Sequence, residues 1–189
     1  MNKFIALLIV TIIFAGCKPG WQEGEKESYI NKGKTIAQAT AKRMLGEVGK
    51  NMKEGGVAQA VPYCQAYAPE LTKEIAAEHN VTIRRTSHKL RNPNNAPTAD
   101  EQKKLDSYLD LIADKAALKP MVEKDAKGNV HFYAPILLLK KCTVCHGVPG
   151  ETLNEENYEM IKTLYPEDQA TGFAEGDFRG MWHITFNKS

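Results

Sequence analysis

One short stretch, Cys142 to His146, restricts this chain most, and it has the sequence Cys-Thr-Val-Cys-His. Two thiols separated by two residues can each form a thioether with one vinyl group of a porphyrin, and the next residue places an imidazole where it can ligate the iron. The motif therefore predicts one covalent haem c, attached through Cys142 and Cys145 and ligated by His146. A thioredoxin-like dithiol expects a βαβ unit and a zinc site expects four paired ligands, and neither context is visible in the sequence.

The N-terminus has the layout of an export signal. Lys3 precedes the apolar run Phe4 to Phe14, which is too short to span a membrane, and Ala15, Gly16 and Cys17 follow. Small residues before a cysteine resemble the lipobox of bacterial lipoproteins, so we expect cleavage before Cys17 and lipid attachment to it. Phe14 departs from the Leu, Val or Ile usual at its position, which leaves cleavage by an ordinary signal peptidase open. An apolar helix kept in the folded domain is a further alternative.

These features divide the 189 residues into three parts. Residues 1–16 are the predicted signal peptide, residues 17–27 a polar tether, and residues 28–189 one domain, which is long enough to bury a core without disulfides. We expect the protein to be lipid-anchored at the periplasmic face of a bacterial membrane, and Lys18 after Cys17 favours the outer membrane. The net charge of +2 falls to +1 when Lys3 is removed, and this balance predicts no nucleic-acid partner.

One cysteine has no role in these assignments. With Cys17 assigned to lipid and two cysteines to haem, Cys64 is unpaired, although free thiols outside the cytosol are exposed to oxidation. Cys64 falls within an apolar stripe of helical spacing, which places it on a buried face. From the residues alone, it is either an inert core cysteine or a thiol able to approach a haem.

Hydrophobic periodicity predicts a mixed fold. A long amphipathic helix from Ser28 breaks at Glu54 to Gly56, and Pro62 in the next helix predicts a kink or a start after it. The other predicted elements are a strand over Val81 to His88, a helix capped by Thr98 or Asp100 and reaching about Leu118, a strand over Val130 to Ile136, a helix over Glu155 to Leu164 and a strand from Gly180 to Phe186. Strands separated by helices, with short connections, favour an antiparallel sheet with helices packed on it, hence the class α+β.

A series of short motifs also resembles a known family. In order, they are Ala60 to Cys64, Ala68 to Glu70, Arg84 to Ser87, Arg91 to Pro93, Asn95 to Pro97, Cys142 to Gly147, Tyr165-Pro166, Asp168, Ala170, Gly172-Phe173 and Gly176 to Gly180. This order resembles the single-haem c-type family formerly known as a domain of unknown function, whose members also occur as sensor modules of membrane receptors. The resemblance spans about residues 28–186 and implies a PAS-like antiparallel sheet flanked by helices.

The resemblance also implies an axial pair for the iron. The family combines the histidine of the attachment motif with a cysteine from an early helix, and the matching positions here are His146 and Cys64. His88 departs from the family pattern, which more often has an apolar residue there, and it offers a competing distal ligand.

Several charged and imidazole side chains have two interpretations. Arg84, Arg85 and Arg91 suit the haem propionates, since guanidinium groups match carboxylates, but they are equally consistent with solvated strand and loop charges. Alternation along the strand sends Arg84 and Arg85 to opposite faces. The remaining expectations are a pairing of Asp177 with Arg179 inside their own loop, a surface cap at His79, hydrogen-bonded strand histidines at His131 and His183, and a core position for Met44.

An iron with two protein ligands has no open position for a substrate, and no other acid, base or nucleophile constellation stands out. The sequence therefore predicts no enzyme. It favours haem-based redox or gas sensing, in which reduction or ligand binding displaces Cys64 and a separate redox or signalling protein partner receives the signal. Periplasmic electron transfer is the alternative, and a PAS-like interaction module with a structural haem is a third.

Overall fold

The structure is a computed structural model and describes residues 20–188, so the predicted signal peptide and Cys17 lie outside the described residues. Its helices are α1 (Glu25–Glu78), α2 (Ala99–Ala113), α3 (Thr143–His146) and α4 (Glu155–Leu164), and its strands are β1 (Thr82–Thr86), β2 (Met121–Lys124), β3 (Val130–Leu137) and β4 (Phe178–Phe186). The fold class is α+β, as predicted. Within residues 20–188, no helix combines the length and the apolar character needed to cross a membrane.

The long helix α1 is a hairpin of two arms, residues 25–54 and 57–78. Gly55 and Gly56 leave the helical conformation, and Gly56 has a φ of 66° that favours glycine. The arms run antiparallel, because Arg43 of the first arm pairs with Glu74 and Glu78 near the end of the second. The predicted break at Glu54 to Gly56 is confirmed.

The starts of the two arms of α1 differ from the sequence prediction. Residues 17–27 were expected to be a tether, but α1 begins at Glu25, whose carboxylate pairs with Lys124 at 2.7 Å. The Lys124 ammonium also lies 4.6 Å from the centroid of the Trp21 ring, so this part of the segment packs on the fold. In the second arm, the helix begins after Gly56 rather than after Pro62 and continues through both Pro62 and Pro69.

The sheet has four antiparallel strands in the order β1-β4-β3-β2. Three of its strands fall where alternation predicted them. Strand β2 was missed, because it has only four residues and directly precedes the polar turn of Asp125 to Asn129, across which it pairs with β3. The predicted helix over Glu155 to Leu164 is confirmed as α4.

Helix α2 begins as the sequence predicts and ends early. The Thr98 side chain accepts a hydrogen bond from the Glu101 N–H, and the Glu101 carboxylate accepts one from the Thr98 N–H, which makes a reciprocal cap. The helix ends at Ala113 rather than near Leu118, because Lys115 adopts a left-handed conformation with φ 55°.

Helices cover both faces of the sheet. The α1 side carries a core of Ile36, Ala37, Met44, Ala68, Ile75, Ile83, Phe132, Ala134, Trp182 and Ile184. The α2 side carries a second core of Leu105, Tyr108, Tyr133, Phe178 and Met181. Helix α4 packs on the second arm of α1 through Val57, Val61, Leu153, Ile161 and Tyr165. This layered arrangement is PAS-like, as expected, and it gives the sheet two chemically separate faces.

Gly33 marks the closest approach of α1 to the sheet and supplies a test of this packing. A Cβ at Gly33 would overlap the ring of Phe132, which is 0% exposed. We expect Gly33→Ala to lower the free energy of unfolding by about 1–3 kcal/mol, since overpacking a core outweighs the helical preference for alanine. The matched control is Gly46→Ala on the same arm, where no atom outside its own stretch of helix lies within 4 Å of the new Cβ.

Gly46→Ala should raise the free energy of unfolding by about 0.5–1 kcal/mol, because only the backbone preference changes. Urea unfolding of both variants measures the difference. Equal effects of the two substitutions would contradict the close contact between α1 and β3.

Candidate cofactor site

The Cys-x-x-Cys-His motif lies at the end of β3, on a tight turn over Lys140–Cys142 followed by α3. Leu138 anchors this turn, because its N–H donates to the Asp177 carbonyl and its carbonyl accepts from the Gly176 N–H. Cys142, Cys145 and His146 are each half-buried, so both thiols and the imidazole lie at the boundary between the core and solvent.

The His146 imidazole is held in one orientation. Its Nδ1 lies 2.7 Å from the Ala170 carbonyl oxygen, which can only accept, so Nδ1 carries the proton. The Phe173 N–H donates to the His146 carbonyl at 3.0 Å and the Gly172 N–H donates to the Gly147 carbonyl at 2.8 Å, so one segment holds both ring and backbone. Burial, assisted by the charges of Arg91 and Arg179, lowers the pKa of His146 well below its usual value. A neutral ring with Nδ1 engaged leaves Nε2 available to a metal.

Arg91 joins the segment that holds His146 to the motif itself. Its guanidinium forms a two-pronged ion pair with the buried carboxylate of Asp168, at 3.2 Å from Nε and 2.9 Å from Nη2. The same Nη2 donates to the Cys145 carbonyl at 2.6 Å. Asp168 also accepts from the Ala170 N–H at 2.8 Å. Arg91 therefore clamps the two loops of the site together, and the propionate contact expected for it stays a prediction.

Gly147 directly follows the motif, at a position that has no room for a side chain. A Cβ there would overlap the side chain of Thr152, whose hydroxyl accepts from the Val148 N–H at 2.9 Å. The glycine therefore allows the loop after α3 to close back against the motif.

Cys64 lies beside the motif, on the second arm of α1. Burial raises the pKa of its thiol, and the nearby guanidinium groups of Arg85 and Arg91 oppose that shift. Burial also raises the pKa of Cys145 to about 11, and Cys64 is one of the groups that raise it further. The thiols of Cys64 and Cys145 therefore share one electrostatic neighbourhood, although 81 positions separate them in the chain. Cys64 is half-buried rather than fully buried.

His88 is placed differently. Its ring stacks on Phe178, with centroids 5.7 Å apart and planes 3° from parallel. Phe178 belongs to the α2-side core, and its ring also contacts Tyr108. Burial, with the charges of Arg179 and Lys89, lowers the pKa of His88, so the ring is neutral at pH 7. Its Nδ1 is buried and has no hydrogen-bond partner within residues 20–188, so His88 as a competing distal ligand stays a prediction.

Arg84 and the two strand histidines form a network on the α2 side of the sheet. Arg84 donates to Glu101 at 2.8 Å and 3.2 Å, and His183 Nδ1 donates to the same carboxylate at 2.8 Å. His131 Nδ1 lies 3.0 Å from His183 Nε2. The prediction of hydrogen-bonded histidines at His131 and His183 is confirmed. The opposed directions of Arg84 and Arg85 follow the predicted alternation, so the propionate role predicted for Arg84 has no support from its position.

Arg85 and Arg179 lie on the same side of the sheet as Cys64 and His146. Arg85 stacks over Trp182, with Cζ 5.6 Å from the ring centroid, and its charge acts on the pKa of both Cys64 and His146. Arg179 donates to Ser87 Oγ at 2.8 Å and to the Lys89 carbonyl at 3.0 Å. The predicted pairing of Arg179 with Asp177 is wrong, because Asp177 instead caps its own turn by accepting from the Ala174 N–H.

Sequence reasoning missed the groups that orient the motif. The Ala170 carbonyl has no side-chain signature, so no pattern distinguishes it. Asp168 belongs to the family motifs, but the sequence assigns it no role. Its side chain is only 1% exposed in the structure, and a carboxylate buried to this degree requires a partner, which is Arg91. Of the remaining expectations, Met44 lies in the core and His79 caps the end of α1.

The fold and the site together define a class of protein: a PAS-like α+β domain with a Cys-x-x-Cys-His motif and a third cysteine beside it. The chain belongs to the Tll0287-like family, whose sequence profile matches residues 22–187. It is similar to the crystal structure of the cyanobacterial haem protein Tll0287, at 28% identity and a TM-score of 0.62, over 86% of this chain and 96% of that one. Comparison with curated proteins finds no match.

The Glu101 network gives a pH-dependent prediction. Hydrogen bonds from His183 and Arg84 outweigh burial and lower the pKa of Glu101 to about 2 from 4.5. Because the folded-state pKa is the lower one, Glu101 stabilises the fold above pH 4.5, and this stabilisation is lost as the pH falls toward 2. The shift corresponds to about 3 kcal/mol, so Glu101→Gln should lose about that much at pH 7 and should show a flatter decline in acid.

Urea unfolding at pH 7, 5 and 3 measures this difference. The matched control is Asp100→Asn, which removes the neighbouring carboxylate, 77% exposed, and should leave stability nearly unchanged at pH 7. A Glu101→Gln variant with the wild-type dependence on pH would show that the buried network does not control acid stability.

Proposed function

We propose that this chain is an exported, lipid-anchored mono-haem c-type protein that senses redox state or a diatomic gas through an iron ligated by His146 and Cys64. One observation carries the proposal. The motif thiols, the His146 imidazole, whose Nε2 is left free by the Ala170 hydrogen bond, and the Cys64 thiol come together from two distant parts of the chain. Membership in a family related to a haem protein supports haem as the ligand of this site.

The residues present fit such a group. Cys142 and Cys145 would carry the thioethers, and His146 Nε2 would be the proximal ligand, with Nδ1 donating to a carbonyl as in other metal-bound histidines. Bound haem would supply one-electron redox chemistry and an iron that binds diatomic gases. Arg91 and Asp168 hold the loop that orients the imidazole.

Cys64 supplies the sensing element of the proposal. Burial raises the pKa of the free thiol, so coordination to iron is what would favour the thiolate. Bound as a thiolate, Cys64 would donate electron density to the iron and favour the ferric state, so reduction would weaken the bond between Cys64 and the iron. Two protein ligands leave no position for a substrate, and we therefore propose a sensor rather than an enzyme.

Export and anchoring rest on the sequence of residues 1–17, with Cys17 as the lipid-modified residue at the periplasmic face, the outer membrane being favoured by Lys18. Covalent haem attachment is completed outside the bacterial cytosol, so the signal and the motif agree. We propose that a separate redox or signalling protein receives the output of this sensor.

Electron transfer is the second candidate, and one surface feature favours it. Apolar side chains exposed around the motif are Leu137 at 49%, Leu139 at 46%, Val144 at 36% and Val148 at 37%. A small apolar patch beside a cofactor edge suits brief contact with a redox partner. In that case, both iron ligands would stay in place through the redox cycle.

The ligand assignment is tested by Cys64→Ala in the purified haem-loaded protein, with His88→Ala as the matched control. Cys64→Ala should abolish the ferric low-spin thiolate signal in electron paramagnetic resonance and raise the reduction potential, because the electron-donating ligand is gone. His88→Ala should keep both wild-type values. The reverse pattern would make His88 the distal ligand, and a wild-type protein purified without covalent haem would end the proposal.

Sensing and electron transfer predict different behaviour of the reduced wild-type protein. A sensor should bind carbon monoxide when reduced, with loss of the Cys64 contribution to the absorption spectrum. In Cys64→Ala, the coordination position of the Cys64 thiol is already open, so the variant should bind the gas at least about tenfold faster than the wild type. This factor corresponds to at least about 1.4 kcal/mol in activation free energy. A reduced wild-type protein that excludes carbon monoxide would favour electron transfer.

A further inference from the structure

The arginines of this chain fall into two groups by their partners. Arg43, Arg84 and Arg91 each pair with a carboxylate. Within residues 20–188, Arg85 and Arg179 form no ion pair with any carboxylate. Both are at least partly buried, and both act on the pKa of His146. Among the described residues, two guanidinium groups that no carboxylate pairs with directly therefore lie near His146.

Arg179 is the less satisfied of the two. Its Nε is buried and, within the described part of the chain, has no hydrogen-bond partner, although Nη1 donates to Ser87 Oγ and the Lys89 carbonyl. Lys89 adds a further positive charge, with its Nζ 5.0 Å from the centroid of the same Phe173 ring that Arg179 covers at 5.4 Å. Leaving a buried charged donor unpaired costs free energy, so this position is built for an anion.

The fold holds Arg179 there through Gly180. That glycine has a φ of 148°, and a Cβ on it would overlap the Thr86 carbonyl, so β4 and β1 approach closely at this point. The approach brings the Arg179 carbonyl to 2.6 Å from Ser87 Oγ, which donates to it. Arg179 is therefore fixed by backbone geometry, before any ligand binds.

Arg85 reaches the same region from β1. It pairs with Trp182 in the sheet register, and the indole ring supports the guanidinium from one side. Burial lowers the pKa of Arg85, as it does for Arg179, whose pKa falls to about 10. A nearby anion would offset the cost of burying each charge.

We propose that Arg85 and Arg179 form the site for two carboxylates of one bound ligand, each guanidinium taking one of them. The inference rests on the proposed haem binding. Haem carries two propionates, which equal the two guanidinium groups in number and are opposite to them in charge. Guanidinium and carboxylate form charge-assisted, two-pronged hydrogen bonds. The arginines committed to Glu101 and Asp168, which are Arg84 and Arg91, are left out of this site.

The test uses haem-loaded Arg85→Gln and Arg179→Gln, with Arg43→Gln as the matched control, since Arg43 is paired with Glu74 and Glu78 on the surface. Resonance Raman spectroscopy follows the propionate bending band, which responds to hydrogen bonding at the carboxylates. Each of the two variants should shift this band. Removing a positive charge near the haem should also lower the ferrous-to-ferric ratio at a fixed applied potential by about tenfold, or about 59 mV for one electron.

Lysine variants separate a charge effect from a direct contact. Arg85→Lys and Arg179→Lys keep the charge and lose the two-pronged geometry, so they should shift the propionate band with less change in potential. They also carry the test if a glutamine variant does not accumulate as a folded protein. An unshifted band in either arginine's variants removes that residue from the site. A wild-type protein without haem overturns the proposed function instead, so the two failures are distinct.

Discussion

The hydrogen bond from His146 Nδ1 to the Ala170 carbonyl is the contact on which the site depends. It fixes the tautomer of the imidazole. The segment that contains Ala170 also contains Phe173, whose N–H donates a hydrogen bond to the His146 carbonyl. Asp168 and Arg91 hold that segment against the Cys145 carbonyl. The proposed proximal ligand is thus oriented by backbone groups and one buried ion pair, so little ordering remains to be done when a cofactor binds.

The sheet separates two kinds of positive charge, because successive side chains on a strand point to opposite faces. On the α2 side, Arg84 is neutralised by Glu101 and contributes to stability. On the other side, Arg85 forms no ion pair with a carboxylate of the described residues, and its guanidinium lies near Cys64. Adjacent arginines in the sequence therefore have different partners, and the proposed cofactor would supply a negative charge on the face of Arg85.

Local patterns predicted most of the fold, including the glycine break of α1 and three of the four strands, because periodicity and turn residues are local signals. The short β2 strand carries too few residues for such a signal. In the site, the spacing of the motif indicates Cys142, Cys145 and His146. Cys64 is recognisable as the one cysteine to which the sequence assigns no other role. Long-range partners remained hidden, because the pairing of Arg91 with Asp168 depends on loops that meet only after folding.

The two proposed iron ligands are restrained to different degrees, and this difference decides which one can leave. His146 is held by hydrogen bonds to its ring and its backbone. Cys64 lies on a helical arm between Pro62 and Pro69, each of which removes one backbone donor from the helix, and the arm begins at the glycine hinge. Its neighbours add one hydrogen bond from Gln65 to the Leu164 carbonyl at 3.2 Å and one from Tyr63 to the Glu47 carboxylate at 3.3 Å. Within residues 20–188 the Cys64 thiol makes no hydrogen bond, whereas the His146 ring is held by the Ala170 carbonyl. The proposed sensor with one exchangeable ligand would use this asymmetry.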